Sequence, residues 1–150
     1  MKIAILNDTH CGVRGDMVEM AKYQGRFYNE VFFPYLDKHD ITHIIHLGDY
    51  FDRRKFVNFA SLKANRDHFI EPLMERNLSM DLVIGNHDTY YKNTNDVNAP
   101  QLLLFNEANI NVITEPVVNE YDGYKLALVP WINPDNYADS VEFLLTAAAA

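Results

Sequence analysis

Short apolar runs alternate with longer amphipathic stretches along the first two thirds of the chain. Three runs with the character of buried strands occupy residues 2–6, 42–47 and 80–84, and each stops at small or polar residues. Two stretches between them, near residues 17–35 and 58–76, have apolar positions three or four residues apart, which is typical of helices. The order strand, helix, strand, helix, strand predicts right-handed crossovers and a mainly parallel sheet.

Polar residues and prolines suggest where these helices begin and end. Asp16 followed by Glu19 resembles a capping box at the start of the first helix. Pro34 predicts a kink or an end near the last turn of that helix, and Pro72 predicts the same for the second helix. A further short helix is expected at about residues 99–108.

The pattern changes after residue 110. The segment "PVVNEYDGYKLALVPW" predicts strands joined by a turn at Asp122 and Gly123, and we expect Trp131 to lie in the core of this second sheet. The chain is therefore predicted to be an α/β protein with two sheets. Four alanines end the sequence, and residues 147–150 are interpreted as a tail of uncertain origin.

Composition and charge narrow the possible functions. A chain of 150 residues fits one domain or a piece of a larger one, and no apolar run approaches the ~20 residues that span a bilayer. Cys11 is the one cysteine, which fits a reducing cytoplasm, and we expect it to be a packed thiol. The net charge of −8 is opposite to that of a nonspecific nucleic-acid binder. An anionic partner would therefore need local or cation-supplied attraction.

A polar cluster follows each of the three predicted strands. The clusters are "NDTHCG", "GDYFDRR" and "GNHD". Ligands of open α/β sheets bind outside the carboxyl ends of the strands, so we expect the clusters to meet at one edge. The residues expected to converge there are Asp8, His10, Asp49, Asn86 and His87. Asp, Asn and Gly are also common turn residues, but three such clusters after three strands favour a site.

These side chains are chemically suited to metal ions. Carboxylate oxygens, imidazole nitrogen and amide oxygen bind divalent metals of intermediate hardness. Asp8 and His10 are two residues apart, so in an extended segment they point the same way. A carboxylate can bridge two cations, and two metals ~4 Å apart can activate a shared water and clamp a phosphoryl group.

The clusters also resemble, in this order, the motifs of the calcineurin-like metallophosphoesterases. The matching segments are "DTH" at 8–10, "GDYFD" at 48–52 and "GNHD" at 85–88. Within the superfamily, "GDYFDRRK", "VIGNHDTYYKN" followed by "NAPQLL", and "VPW" are similar to the SbcD-type DNA nucleases, above all those of T-even-like phages. The resemblance covers about residues 1–132. It implies a two-sheet αββα sandwich, with residues 1–146 as the N-terminal part of the nuclease domain.

The resemblance implies roles for the cluster residues. Asp8 and His10 would hold the first metal, Asp49 would bridge the two ions, and Asn86 would bind the second. His87 would protonate the leaving oxygen or stabilise the charged transition state.

Further residues near the site also have expected roles. Asp52 would hydrogen-bond His87 and keep it protonated, with Asp88 as the alternative for that role. Arg53 fits either a phosphate contact or a solvated helix start, and it also resembles an arginine of the protein-phosphatase branch. Arg54 and Lys55 are expected to be solvated, while Tyr90 and Tyr91 fit either DNA stacking or a partner surface.

The function implied by the resemblance is that of a divalent-metal-dependent DNA nuclease in recombination and DNA repair. It would use two ions, manganese or alternatively magnesium, and would act as an exonuclease, an endonuclease or both. The implied partners are DNA, an SMC-like ATPase subunit and a second copy of the chain, with no membrane. The implied location is the cytoplasm, or the host cytoplasm for a phage protein. The alternatives are a phosphomonoesterase on the same core and a dimerisation module without activity.

The sequence departs from the family in its histidines. Complete members carry later Gly-His and Gly-His-x-His motifs, but nothing comparable follows His87 here. We therefore expect this chain to bind the second metal weakly and to be inactive by itself. The remaining histidines, which are His39, His43, His46 and His68, are expected to be structural or solvated.

Overall fold

The structure is a computed structural model that describes residues 1–148. The strands are β1 Ile3–Leu6, β2 His43–His46, β3 Ser79–Val83, β4 Ile110–Ile113, β5 Val117–Tyr121 and β6 Tyr124–Leu128. The α-helices are α1 Val13–Asp16, α2 Val18–Arg26, α3 Phe33–His39, α4 Phe59–Asn65, α5 Glu71–Glu75, α6 Ala99–Leu104 and α7 Tyr137–Ala148. Ala147 and Ala148 therefore belong to α7, while the rest of the predicted tail, 149–150, lies outside the described residues.

Two sheets form the centre of the fold. β1, β2, β3 and β4 make a four-stranded parallel sheet in that order, and β5 and β6 make an antiparallel hairpin. The hairpin turns at Asp122 and Gly123, which have φ values of 54° and 84°, as the turn sequence predicted. The expected α/β class with a parallel and an antiparallel sheet is confirmed.

Each face of the parallel sheet is covered by a different layer. Ile44 is fully buried against the helices, in an apolar cluster with Phe69 and Leu73. The next residue, Ile45, points to the other face, where it packs with Tyr121 and other residues of a second cluster. Burial on both faces explains why β2 and β3 are nearly continuous apolar runs rather than alternating ones, whereas the edge strand β1 leaves Ile5 66% exposed.

Both long helices contain a π-helical segment just before a proline. α2 continues through Phe27–Phe32 into α3, and α4 continues through Arg66–Ile70 into α5. Pro34 and Pro72 each follow within two residues of the end of a π segment. The wider π-helical turn interrupts the regular α-helical hydrogen bonds near the position where proline has no N–H to donate. Pro34 therefore does not end the first helix, which continues to His39.

The predicted capping box at Asp16 is also wrong. The helix cap falls at Met17 and has no side-chain hydrogen bond. The carboxylate of Asp16 instead accepts a hydrogen bond from Ser61 Oγ at 2.7 Å and pairs with Arg53 at 3.1 Å. Asp16 therefore ties the start of α2 to α4 and to the loop after β2. Within residues 1–148, no helix has both the length and the apolar character needed to cross a membrane.

Candidate metal centre

The loops after β1 and β2 form the base of the candidate site. They continue the pairing of their strands, because Asp8 N donates to Gly48 O at 3.2 Å and His10 N donates to Asp49 O at 3.0 Å. Asp8, His10 and Asp49 all have left-handed backbone conformations, with φ values of 50°, 43° and 52°. Such values are uncommon outside glycine and tend to cluster at functional sites. The hydrogen bonds between the loops hold these three residues in that conformation.

The loop after β3 packs directly against the loop after β2. A Cβ on Gly48 would lie 2.7 Å from Gly85 N, and one on Gly85 would overlap Asp49. Glycine at both positions therefore permits the contact. Across it, His87 N donates to Asp49 Oδ1 at 2.8 Å. The third polar cluster is thereby fixed beside the second.

The structure brings the predicted metal ligands together. Asp8, His10 and Asp49 each offer a ligand atom, and these atoms lie within 4.8 Å of one another. His10 Nε2 is 3.5 Å from Asp8 Oδ1 and 4.0 Å from Asp49 Oδ2. Asn86 lines the same cleft, whose volume is about 320 Å³. Carboxylate, imidazole and amide donors at this edge of the sheet fit a divalent cation.

Asp52 contacts both histidines of the site by different atoms. Its backbone carbonyl accepts a hydrogen bond from His87 Nδ1 at 2.6 Å, and its carboxylate Oδ1 lies 3.3 Å from His10 Nδ1. The expected bond between the Asp52 carboxylate and His87 is thus replaced by a main-chain bond. A carbonyl can only accept, so His87 Nδ1 carries the proton in this arrangement. The two imidazole rings meet edge to face, with centroids 4.9 Å apart.

Asp88 is buried and hydrogen-bonds to the main chain of two of the loops that form the site. It is fully buried, and its two oxygens accept hydrogen bonds from Phe51 N and Gly85 N, each at 2.9 Å. Burial raises the pKa of its carboxyl to about 6, partly offset by these N–H donors. The carboxylate therefore joins the second loop to the third through main-chain N–H groups. The alternative role predicted for Asp88, a hydrogen bond to His87, is not seen in this arrangement.

His46 joins the first two loops and was missed as a site residue. Its Nδ1 accepts from Gly48 N at 3.2 Å, and its Nε2 lies 3.0 Å from Thr9 Oγ1, which in turn donates to Tyr50 O. These partners require the neutral ring with the proton on Nε2. Burial lowers the pKa of His46 to about 3, consistent with that form. The sequence feature that could have identified His46 is its position as a polar residue within an apolar strand.

The arginines after the second cluster are both held by other residues. Arg53 pairs with Asp16 and lies 4.8 Å from the centre of the Phe56 ring. Arg54 donates to Thr89 Oγ1 at 3.1 Å and to Tyr91 O at 3.2 Å. The prediction that Arg54 is simply solvated is therefore wrong.

Trp131 and Cys11 complete the surroundings of the site. Trp131 lies outside both apolar clusters, lines the metal cleft and stacks under Arg54 at 5.1 Å, so its predicted core position is wrong. Cys11 is buried and its thiol pKa is raised to about 12, mainly by burial. It donates to Ser61 O, as a packed thiol does.

Three kinds of comparison with known proteins each find a similar protein or family. The family model described as calcineurin-like phosphoesterase matches residues 1–144. Exonuclease subunit 1 of Enterobacteria phage T4 is 31% identical over 150 residues, which are all of this chain and 44% of the phage protein. This chain therefore spans less than half the length of that relative. The crystal structure of Pseudomonas putida nuclease MPE aligns with a TM-score of 0.52 over 79% of this chain and 50% of that one, at 24% identity, which is a likeness in fold.

Proposed function

The chain belongs to the calcineurin-like phosphoesterase family, and from that premise we propose that it is part of a divalent-metal-dependent DNA nuclease. The family binds divalent metals and hydrolyses phosphate esters. The observation that carries the proposal is the convergence of Asp8, His10 and Asp49 within 4.8 Å at the edge of the sheet. The names of the phage relative and of the structural neighbour, an exonuclease subunit and a nuclease, favour a diester substrate.

We assign the metal ligands as Asp8, His10, Asp49 and Asn86. Asp8 and His10 would hold one ion and Asn86 would hold a second, with Asp49 as the carboxylate that would serve both; its Oδ2 lies 4.0 Å from His10 Nε2. Two ions, manganese or magnesium, would supply an activated water and neutralise charge on the phosphoryl group. The protein's own contribution is to fix the donors by the loop pairing and by the contact of Gly48 with Gly85.

His87 is assigned to the leaving group. The main-chain carbonyl of Asp52 holds the Nδ1 proton, so Nε2 is the nitrogen available to the reaction. In the imidazolium form, Nε2–H donates to the leaving oxygen or to the charged phosphoryl group. The Asp52 carboxylate, 3.3 Å from His10 Nδ1, is proposed to hold that ring by charge, and Asp88 braces the loops that carry Asp49 and His87.

The wider assembly follows from the same family resemblance. We propose that residues 1–146 are the N-terminal part of the nuclease domain, and that the whole protein acts on DNA in recombination and repair as an exonuclease, an endonuclease or both. An SMC-like ATPase subunit and a second copy of the chain are the proposed partners. A ligand set of four side chains supports weak binding of the second ion and little turnover by the 150-residue chain alone.

Phosphomonoesters are the competing substrate class. Arg53 is the residue that could grip a terminal phosphate, but its guanidinium is paired with Asp16. This ion pair argues against a phosphomonoesterase function. A phosphate contact by Arg53 stays a prediction.

A substrate panel with Mn²⁺ tests the function. The 150-residue chain, at high concentration, is incubated with DNA duplex ends and with p-nitrophenyl phosphate, and Asp49→Asn serves as the inactive control. We expect no robust cleavage of either substrate by this chain, and any trace of Mn²⁺-dependent activity should be on DNA and absent in the variant. Preferential hydrolysis of the monoester would contradict the nuclease assignment. Fast turnover of DNA would contradict the proposal that this chain is nearly inactive by itself.

A further inference from the structure

The turn that carries Asn86 and His87 is closed around a buried threonine. Thr89 is fully buried, and its main chain forms an antiparallel bridge with Asn98. Its Oγ1 lies 3.4 Å from Asn86 O and 3.0 Å from Tyr91 O, so the hydroxyl donates its one proton to one carbonyl or the other. The hydroxyl therefore connects the main chain of a proposed metal ligand to the segment that follows the turn.

Arg54, from the loop after β2, donates a hydrogen bond to this hydroxyl. Its Nη1 lies 3.1 Å from Thr89 Oγ1 and 3.2 Å from Tyr91 O, and both acceptors are neutral. Within residues 1–148 the guanidinium forms no ion pair, whereas Arg53 pairs with Asp16. Hydrogen bonds from a charged donor are roughly twice as strong as neutral ones. The hydrogen bonds of Arg54 therefore hold the turn rather than a carboxylate.

Trp131 supports the guanidinium of Arg54 by stacking, with the guanidinium carbon 5.1 Å from the centre of the ring. The main chain of Trp131 is fixed in both directions. Its N–H donates to Ile84 O at 2.8 Å, directly after β3. Its carbonyl accepts from the side-chain amides of Asn95 and Asn136, each at 3.1 Å. The ring is therefore a fixed platform beside the segment that leads into the turn.

The carbonyl of Asn86 depends on this group of contacts. His87 N is held by Asp49, and the Asp88 carboxylate is held by main-chain N–H groups. Among the described residues, 1–148, the donor that reaches Asn86 O is the Thr89 hydroxyl. A shift of the Asn86 main chain would move its side-chain oxygen by a similar distance, and metal ligands tolerate little displacement.

We propose that Arg54 and Thr89 are positioning residues for Asn86. Arg54 holds the Thr89 hydroxyl, and the hydroxyl fixes the main chain from which the ligand of the second ion projects. This inference rests on the proposed function and adds to it a support for one ligand. Loss of a group that orients a metal ligand usually lowers metal affinity about 10–100-fold.

Two substitutions at Thr89 separate the hydroxyl from packing. Thr89→Val keeps the shape but has no hydroxyl, whereas Thr89→Ser keeps the hydroxyl and loses a methyl group. Mg²⁺ is added to the ¹⁵N-labelled 150-residue chain, and the side-chain amide signal of Asn86 is followed, because a diamagnetic ion shifts the signals of its ligands without erasing them. Thr89→Val should need about tenfold more Mg²⁺ for half of the shift. Thr89→Ser should stay within about twofold of the wild type.

Arg54→Gln tests the second step of the same chain of contacts. It should weaken the Asn86 titration as much as Thr89→Val does, and the double variant should lose little more than either single variant. The matched control is Thr146→Val, which removes an exposed hydroxyl that donates to Glu142 O in α7 and should leave the titration unchanged. Urea unfolding checks that every variant is folded.

The metal-free protein provides an independent measurement. The backbone order parameter of Asn86, from ¹⁵N relaxation, should be about 0.85 in the wild type and in Thr89→Ser, as in a rigid main chain. It should fall below about 0.6 in Thr89→Val and in Arg54→Gln. A role for Thr89 in packing alone predicts the reverse order, with Thr89→Ser the more mobile variant.

Several results would overturn the inference. These are an Asn86 signal that does not respond to Mg²⁺ in the wild type, an unchanged titration in Thr89→Val, a larger loss in Thr89→Ser than in Thr89→Val, and equal order parameters in all variants. The proposed function stands in each case if the signals of Asp8 and His10 shift with Mg²⁺ or broaden with Mn²⁺. If they do neither in the wild type, the proposed function itself is contradicted.

Discussion

Two clusters of aspartate and histidine lie at opposite ends of β2 and β3, and only one of them has the features of a site. The closed cluster, at the start of these strands, consists of His43, Ser79, Asp81, Asn111 and Tyr121. Asp81 accepts from His43 Nε2 at 3.0 Å, from Asn111 Nδ2 at 2.7 Å and from the Tyr121 hydroxyl. His43 Nδ1 meets Ser79 Oγ at 2.6 Å. Every donor in the cluster has an acceptor. Because Tyr121 belongs to the hairpin and the other residues belong to the parallel sheet, these bonds join the two sheets.

The metal centre at the other end is unbalanced. The carboxylates of Asp8, Asp49 and Asp52 face the single imidazole of His10 at 3.5, 4.0 and 3.3 Å. Close carboxylates repel one another unless a cation balances them. The comparison shows that residue type does not distinguish a site from a structural cluster. The distinguishing feature is whether the protein itself supplies partners for the charges.

Breaking the closed cluster should have the largest effect on stability. Asp81→Ala leaves the donors of His43, Asn111 and Tyr121 without their acceptor, and we expect the free energy of unfolding to fall by about 3–5 kcal/mol. Urea unfolding measures the loss. Calorimetry on protein that remains folded should show Mn²⁺ affinity within about twofold of the wild type. A loss below about 1 kcal/mol would show that the cluster does not join the sheets.

Breaking the metal centre should have the opposite signature. Asp49→Asn keeps an acceptor for His87 N but removes the charge between the proposed ions, and we expect Mn²⁺ affinity to fall by at least about 100-fold. The free energy of unfolding without metal should stay the same or rise, because a repulsive charge has gone. Asp96→Asn, which removes an exposed acid elsewhere, is the matched control in calorimetry. Unchanged affinity in Asp49→Asn would disprove the bridging role.

His46 should make the base of the metal centre sensitive to acid. Its folded pKa is lowered to about 3 by burial, whereas the unfolded ring titrates near 6.5. The unfolded state therefore binds the proton first, so this stabilisation is complete above pH 6.5 and is lost as the pH falls toward 3. The loss should reach about 2 kcal/mol at pH 5. His46→Gln should flatten the decline in unfolding free energy between pH 7.5 and 5, and an unchanged slope would refute the assignment.

Asp52 allows a smaller and more selective test. Asp52→Ala removes the carboxylate beside His10 but keeps the main-chain carbonyl that holds His87. We expect Mn²⁺ affinity to fall by about tenfold, the usual effect of losing a group that orients a ligand. The NMR signal of the His87 Nδ1 proton should persist, because its acceptor is intact. Loss of that signal would show that the side chain, rather than the carbonyl, fixes His87.

Local sequence patterns predicted the parallel sheet and the site's location. Ile44 and Ile45 marked a strand buried on both faces, and the polar residues after Leu6, Leu47 and Ile84 marked the edge where loops meet. These inferences needed only neighbours along the chain and the rule that parallel strands end together.

Long-range partners explain most of the errors. Asp16 has the spacing of a capping box, but its partners are Ser61 and Arg53, which lie far away in sequence. Trp131 was expected in the core, yet the cation of Arg54 draws it to the rim of the metal cleft. No local pattern at Asp81 reveals that Tyr121 and Asn111 will meet it. Tertiary contacts, rather than local sequence patterns, determine the positions of these side chains.

Addition of Mn²⁺ to the ¹⁵N-labelled chain, followed by amide NMR, tests the central claim most directly. The unpaired electrons of Mn²⁺ broaden nearby signals, so they report where the ion binds. We predict that substoichiometric Mn²⁺ erases the amide signals around Asp8, Asp49 and Asn86 first, while those around His43 and Asp81 persist. Broadening centred on the closed cluster, or spread evenly over the chain, would contradict a metal centre at the carboxyl ends of the parallel strands.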